Sequence, residues 1–195
     1  SRLPKEAPTA DEAPDGEYLR YRITADGISP RLIPGKVKHF VTADSDEHNE
    51  FGHITESADM RIAMMDKRMR KLKKLTEELI EPVFLGNEDC DTLLLGWGST
   101  YGPIVEAVQT LNNSGKGSFG ALVFGDVYPL PVKSLNTMSA KAKSIINVEQ
   151  NATGQLAGQI RETTGICCNH SILKYDGRQI SGEEIVSHLQ EGGLI

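Results

Sequence analysis

The second half of the chain contains a series of short, unbroken apolar runs, each followed by a segment with helical periodicity. The clearest runs are Thr92–Trp97 and Phe119–Phe124. Runs without polar alternation are typical of strands buried on both faces of a parallel sheet. Further strands are predicted at 144–148 and 167–173, and helices at 100–112, 134–141, 153–163 and 183–190. The alternation predicts an α/β fold, a three-layer α/β/α arrangement around a mostly parallel sheet with right-handed crossovers.

The first half of the chain has a different organisation. Residues 1–17 are acidic and rich in proline, which favours a linker, and 18–35 contain turn signals such as Asp26-Gly27. A short strand is predicted at Val37–Val41. A long amphipathic helix is predicted from Asp59 to Leu79, capped by Ser57 or Asp59 and ended by Pro82. We expect this helix to pack through an apolar face made of Ile62, Met65, Met69, Leu72 and Leu79.

Charge and composition exclude several classes of function. The net charge is -6 and the pI about 5.4, which argues against a nucleic-acid or anionic-membrane binder. The basic run Lys67–Lys74 is interpreted as the solvated side of the helix. Because no stretch approaches 18 apolar residues and the first residues are charged, we expect a cytoplasmic protein. The three cysteines lack metal-site spacing and are expected to be buried thiols.

Three junctions between predicted strands and helices carry polar or glycine-rich residues. Ligands bind beyond the carboxyl ends of strands in such sheets, where helix N-termini present free N–H groups. Gly96–Gly102 resembles a phosphate loop but lacks its lysine, and a tight turn would also explain its glycines. Lys174–Arg178 contains an Asp-Gly turn. The second junction, Glu149–Gln155, is interpreted either as a helix cap formed by Asn151 or Thr153 or as an interface or ligand edge; its candidate residues are Glu149, Gln150, Asn151, Thr153, Gly154 and Gln155.

The densest group of titratable side chains lies outside the predicted sheet, at Asp44–Glu56. It contains two histidines, His48 and His53, which would lie about 140° apart on a helix, at about 100° per residue. That geometry disfavours a shared metal ion. The segment is therefore interpreted as a solvated acidic loop or as an ordered interface near an active site, with Glu47, His48, Gly52 and His53 as candidate residues and no metal ligand assigned. No catalytic residue is predicted, since hydrolytic motifs are missing from the sequence.

Taken in order, the motifs are similar to those of the alpha subunit of 2-oxoacid:ferredoxin oxidoreductases, most closely of the 2-oxoglutarate type. They extend from Tyr18 to the end of the chain. The matching segments are Tyr21–Thr24 with Asp26–Arg31, Asp46–Glu56, Lys67-Arg68, Gly98–Pro103, Val148–Asn151 with Thr153–Ala157, and Lys174–Arg178.

The resemblance implies a thiamine diphosphate-dependent enzyme that decarboxylates a 2-oxoacid, reduces ferredoxin through iron–sulfur clusters and forms an acyl-CoA. It implies a trailing edge of a pyrimidine-binding domain and a linker at 1–56, a connecting helix at 57–82, and a transketolase C-terminal-like domain at 83–195. Thiamine diphosphate, Mg²⁺, the iron–sulfur cluster and coenzyme A would belong to the assembled enzyme, with a beta subunit and a gamma subunit or domain as partners, and none to this chain alone.

The isolated chain is therefore expected to be inactive and to serve as a structural and interface segment. Two alternatives stay open: a stand-alone module that binds a small ligand or anion, and the C-terminal domain of a 2-oxoacid dehydrogenase beta chain.

Overall fold

In the computed structural model, which describes residues 17–35 and 39–194, the apolar runs of the second half form one five-stranded sheet. Its strands are β1 (Val83–Gly86), β2 (Thr92–Trp97), β3 (Phe119–Phe124), β4 (Ser144–Glu149) and β5 (His170–Leu173). The order across the sheet is β1-β3-β2-β4-β5, and every pair is parallel except β1 with β3. The predicted α/β class with a mostly parallel sheet is confirmed; the antiparallel edge strand β1 was not predicted.

Four helices cover the two faces of this sheet: α2 (Tyr101–Asn113), α3 (Lys133–Lys141), α4 (Gln155–Thr164) and α5 (Gly182–Glu191). Successive residues of a strand point to opposite faces. Thus Leu94 packs with Ile104 and Ile185 on the face covered by α2 and α5. Leu93 and Leu95 pack on the other face, with Leu135 of α3 and Ile160 of α4 among their cluster. Two cores on opposite faces require strands without polar alternation, which is the pattern in the sequence.

The strand order reverses direction at the centre of the sheet. From β2 the chain moves to β3 on one side, and from β3 it crosses to β4 on the other side of β2. The loops that leave β2 and β4 therefore diverge at their carboxyl ends and open a crevice between them, the usual ligand position in such sheets.

The chain divides into two compact units, Ser1–Glu77 and Glu78–Ile195. In the first, an irregular segment accompanies α1 (Ala58–Leu75), whose N-cap is Ser57 as one of the two predictions had it; its hydroxyl accepts a hydrogen bond from the Met60 N–H. The predicted linker at 1–17 lies outside the described residues except for Glu17. The predicted strand at 37–41 lies partly outside them, and 39–41 form no strand.

The expected packing face of α1 is wrong at two of its five residues, while Met65, Leu72 and Leu79 are half-buried. Ile62 and Met69 are exposed, with 60% and 50% of their surface accessible, whereas Met64 and Lys67 are buried. The buried face of α1 is therefore rotated from the predicted apolar stripe toward the basic run. Lys67 is buried because its ammonium donates a hydrogen bond to the Tyr21 carbonyl within this unit. The basic run Lys67–Lys74 was predicted to be solvated, and for Lys67 this prediction is wrong.

The prediction of three buried thiols is confirmed only in part. Cys90 is buried and Cys168 is half-buried against the α3–α4 core, but Cys167 is exposed. Burial raises the pKa of the Cys168 thiol to about 11. Among the described helices, none has both the length and the apolar character needed to cross a membrane.

Candidate functional site

The crevice at the carboxyl ends of β2 and β4 is built around a buried carboxylate, Glu149. This side chain is fully buried although it is the last residue of its strand. Trp97, the last residue of β2, donates its indole N–H to Glu149 Oε2 over 3.3 Å. Two junctions that the sequence presented separately, 96–102 and 149–155, therefore meet through this pair.

Both oxygens of the Glu149 carboxylate are saturated by the chain itself. Oε1 accepts hydrogen bonds from Asn147 Nδ2 at 3.0 Å and the Ala157 N–H at 3.1 Å. Oε2 accepts, besides the indole, Asn151 Nδ2 at 2.7 Å and the Leu156 N–H at 3.0 Å. Five donors compensate the loss of water around a buried charge. The carboxylate thus anchors the crevice and leaves no lone pair directed at a ligand.

Position at the N-terminus of α4 explains why a carboxylate occupies this place. The first N–H groups of a helix lack partners within the helix and carry a partial positive charge. Glu149 accepts two of them, and Asn151 Oδ1 accepts the N–H groups of the next loop residues, with Gly154 N at 2.7 Å. The N-cap is Gly154, in the left-handed region at φ 65°, and not Asn151 or Thr153 as predicted. Asn151 nevertheless acts as a capping side chain from outside the helix.

The polar network continues around the rim. Asn147, fully buried in β4, accepts the Ser171 hydroxyl from β5. Gln150 Oε1 accepts the Ile180 N–H at 3.0 Å, and the Gln179 amide donates to the Ser99 carbonyl at 3.2 Å. These bonds join the loops that follow three strands, β2, β4 and β5.

What remains open to a ligand or partner is the outer edge of this network. Thr153 and Gln155 are exposed, Gln150 and Asn151 are half-buried, and Trp97 keeps 38% of its surface accessible. This edge offers amide, hydroxyl and aromatic groups held by a rigid base. Such a surface suits hydrogen bonding to a ligand or a neighbouring protein surface.

One glycine of the first junction, Gly96, serves packing, whereas Gly98 adopts a left-handed conformation at φ 58° with open space around it. A Cβ at Gly96 would lie 2.3 Å from Ile104 Cδ1 and 2.6 Å from Thr100 Oγ1. The Thr100 hydroxyl closes the turn, accepting the Trp97 N–H at 3.0 Å and donating to the Trp97 carbonyl at 2.9 Å. The tight-turn interpretation therefore accounts for this loop without a phosphate.

The remaining candidates lie in the first unit, where Glu47 is held between two arginines of α1. Arg68 binds it through both terminal nitrogens, at 3.0 and 2.6 Å, and Arg61 at 2.8 Å. Hydrogen bonds from Arg68 first, and then from Arg61, lower the pKa of Glu47 to about 2.

His48, Gly52 and His53 lie in a tight ordered loop. An antiparallel bridge pairs His48 with Ile54, and the His48 ring stacks on Tyr21 with centroids 3.8 Å apart. Gly52 has φ 94°, and a Cβ there would meet the Thr42 carbonyl oxygen at 2.2 Å. His53 is exposed and lies 3.7 Å from an Asp44 oxygen. These contacts order the loop, while Asp44, Asp46 and Glu56 are exposed, so its role as an interface stays a prediction.

The sequence did not predict several residues that form hydrogen bonds or ion pairs with the candidate residues. Asn147 interrupts an otherwise apolar strand, a signal that was available. Arg61 and Arg68 are seven residues apart and so share one helix face, which also pointed to a common partner. The Trp97 contact had no local signal, since its partner is 52 residues away.

No family model matches the chain. The alpha subunit of 2-oxoacid:ferredoxin oxidoreductase 2 from Aeropyrum pernix is 36% identical over 176 residues, which are 88% of this chain and 27% of that protein. The alpha subunit from Saccharolobus solfataricus is 34% identical over 173 residues, 87% of this chain and 27% of that protein. The chain thus spans about a quarter of the curated relatives it matches.

Among solved structures, the chain is similar to the 2-oxoglutarate:ferredoxin oxidoreductase from Magnetococcus marinus, which was solved with 2-oxoglutarate, coenzyme A and succinyl-CoA bound. The TM-score is 0.77 at 30% identity, over 94% of this chain and 32% of that one.

Proposed function

This chain is homologous to a segment of the alpha subunit of the 2-oxoacid:ferredoxin oxidoreductases, and we propose that it works as part of such an enzyme. The enzyme would convert a 2-oxoacid and coenzyme A into an acyl-CoA and carbon dioxide, and the released electrons would pass to ferredoxin. The 2-oxoacid that we propose is 2-oxoglutarate. The observation that carries this proposal is identity of 36% over 88% of the chain.

Two kinds of residue in the described part of the chain bear on the enzyme's redox and thiamine cofactors, the cysteines and a buried carboxylate. The three cysteines differ in environment: one is buried, one half-buried and one exposed. In the part of the chain that the structure describes, no three His, Cys, Asp or Glu side chains converge as a metal site. The fully buried carboxylate, Glu149, has both oxygens taken by five donors of this chain. We propose that thiamine diphosphate, its Mg²⁺ and the iron–sulfur cluster are bound by other parts of the assembled enzyme.

The role proposed for this segment is to present ordered surfaces to the other parts. The first surface is the exposed edge above Glu149, with Gln150, Thr153 and Gln155. The second is the Glu47–Glu56 loop, which carries His53 on its outside. Each is rigid because buried hydrogen bonds or ion pairs hold it from behind, which lowers the entropic cost of binding. The partners would be the rest of the alpha subunit, a beta subunit and a gamma subunit or domain, with ferredoxin as acceptor.

Reconstitution tests the proposal. The chain is co-expressed with the remainder of its alpha subunit and with the beta subunit, and ferredoxin reduction is measured with 2-oxoglutarate and coenzyme A. We expect activity that depends on both substrates and on the chain. An assembled complex that reduces ferredoxin equally well without this chain would overturn the proposal.

Two variants locate the surfaces. His53→Ala and Gln150→Ala should lower turnover or assembly while the isolated chain keeps its fold. The His53 side chain makes a 3.7 Å contact with Asp44, and that of Gln150 makes two hydrogen bonds, each worth about 1 kcal/mol. His188→Ala is the matched control, because His188 is exposed near the end of α5. If both variants match this control in assembly and in turnover, the two surfaces have no such role.

A further inference from the structure

A pocket of about 260 Å³ in the first unit has an unusual charge. Two arginines, Arg20 and Arg31, and two lysines, Lys67 and Lys71, line it together with Tyr21 and neighbours from the Gly27 turn. Its lining contains no carboxylate. Four cations around one small space repel each other unless an anion separates them.

Lys67 is the residue of the pocket whose positive charge is least compensated. It is 7% exposed, and its ammonium donates to the Tyr21 carbonyl at 2.8 Å. Within residues 17–35 and 39–194 it forms no ion pair. Burial first, and then the charges of Lys71 and Arg68, lower the pKa of Lys67. A buried cation with one neutral acceptor is costly, and a bound anion would offset that cost.

Carboxylates close to the pocket are already engaged. Asp26 accepts the Ile28 N–H at 3.0 Å and pairs with Lys74 at 3.5 Å. Glu47 is taken by its two arginines, and Glu50 accepts the Ile23 N–H at 2.7 Å. Glu50 raises the pKa of Lys67, but its effect is smaller than those of burial, Lys71 and Arg68. The positive charge of the lining is therefore not neutralised from within this set.

The shape of the pocket depends on a close backbone approach. Gly27 has φ 79°, and a Cβ there would lie 2.5 Å from the Lys67 carbonyl oxygen. The turn at Gly27 consequently lies directly against α1 and brings its own lining residues to the helical lysines. A pocket formed by such contacts is preformed and needs little ordering on binding.

We propose that this pocket binds a phosphate or diphosphate group. Guanidinium groups match phosphate oxygens in pairs and lysines add point charges, so two of each suit such an anion. The volume is below the roughly 300–1,000 Å³ of ordinary small-molecule sites, so it fits the anionic group of a ligand rather than a whole nucleotide. The inference does not depend on the proposed function.

Calorimetric titration of the 195-residue chain with inorganic pyrophosphate at low ionic strength tests the pocket. We expect a dissociation constant at or below about 1 mM. Arg31→Gln and Lys71→Gln should each weaken binding by about tenfold, since each removes a charge-assisted contact. Lys73→Gln is the matched control: Lys73 is exposed on the same helix and outside the lining, and its loss should change binding less than about twofold.

A second readout covers variants that fold poorly. Pyrophosphate should raise the thermal midpoint of the wild-type chain, and Lys67→Met should abolish that rise while remaining folded, because a methionine fits a buried lysine stem. Competition by ADP would show that the site accepts a diphosphate ester, and its failure that the free anion is preferred; either supports an anion site. No binding of pyrophosphate at 10 mM, roughly tenfold above the expected constant, or equal weakening by Lys71→Gln and Lys73→Gln, overturns the proposal.

Discussion

Replacing Glu149 by glutamine tests the central claim about the crevice, that a saturated carboxylate anchors it. Glutamine keeps the shape but turns one oxygen into a donor. The less costly orientation places the amide nitrogen where Oε1 stands, since Oε1 accepts two hydrogen bonds and Oε2 three. Asn147 Nδ2 and the Ala157 N–H would then face another donor.

The magnitude follows from these two lost acceptors. Each buried group left without a partner costs about 1 to 3 kcal/mol, and removing a buried charge returns part of this. We expect the free energy of unfolding to fall by about 2 to 4 kcal/mol, a large share of the roughly 5 to 15 kcal/mol of a typical domain.

Urea unfolding followed by fluorescence measures the effect directly, because Trp97 is the single tryptophan of the chain and contacts Glu149. The midpoint should fall with the m-value unchanged. Glu162→Gln is the matched control, with the same loss of charge at an exposed position of α4. A loss below about 1 kcal/mol, or one equal to that of the control, would refute the anchoring role.

The remaining predictions concern the first unit and the cysteines. Lowering the pH should destabilise the first unit progressively from about pH 4.5 to about 2, because Glu47 has a lowered pKa and its stabilisation is lost as it becomes protonated; circular dichroism should show this window vanish in Glu47→Gln. Gly52→Ala should destabilise by more than about 1 kcal/mol in thermal melts, since both its φ and its contact with a carbonyl exclude a Cβ, and an unchanged melt would contradict the loop geometry. Met64→Asp should lower the melting temperature strongly while Met69→Asp should shift it little, because 1% of the first side chain and 50% of the second are exposed; equal shifts would show that the helix packs otherwise. Iodoacetamide at pH 8 should label Cys167 first, as mass spectrometry of early time points would reveal, and prior labelling of Cys168 would count against its raised pKa and burial.

Most elements of the fold could be predicted from local patterns in the sequence. The continuous apolar runs identified β2, β3 and β4 nearly to the residue, because a strand buried on both faces is apolar at most of its positions. The edge strand β1 was missed, since its partial exposure leaves a weaker signal. Periodicity placed the start of α1 but neither its end nor its buried face. The helix ends at Leu75 and not at Leu79, and burial follows Met64 and Lys67.

The candidate residues at Glu149–Gln155 were found from their polar density at a strand end, but their roles were decided by partners far along the chain. Glu149 is an internal anchor because Trp97 lies opposite it on the neighbouring strand, 52 residues away in sequence. The sequence predicted Lys67 to be a solvated lysine. In the structure its ammonium donates a hydrogen bond to the Tyr21 carbonyl, which is 46 residues away in sequence. Most of the strands and helices could thus be assigned from the amino-acid sequence, since the hydrophobic period records burial along each element. Which polar groups find a hydrogen-bond partner, and which charged groups lack a neighbour of opposite charge, depends on contacts between elements. No local pattern encodes these contacts, so they became known from the fold.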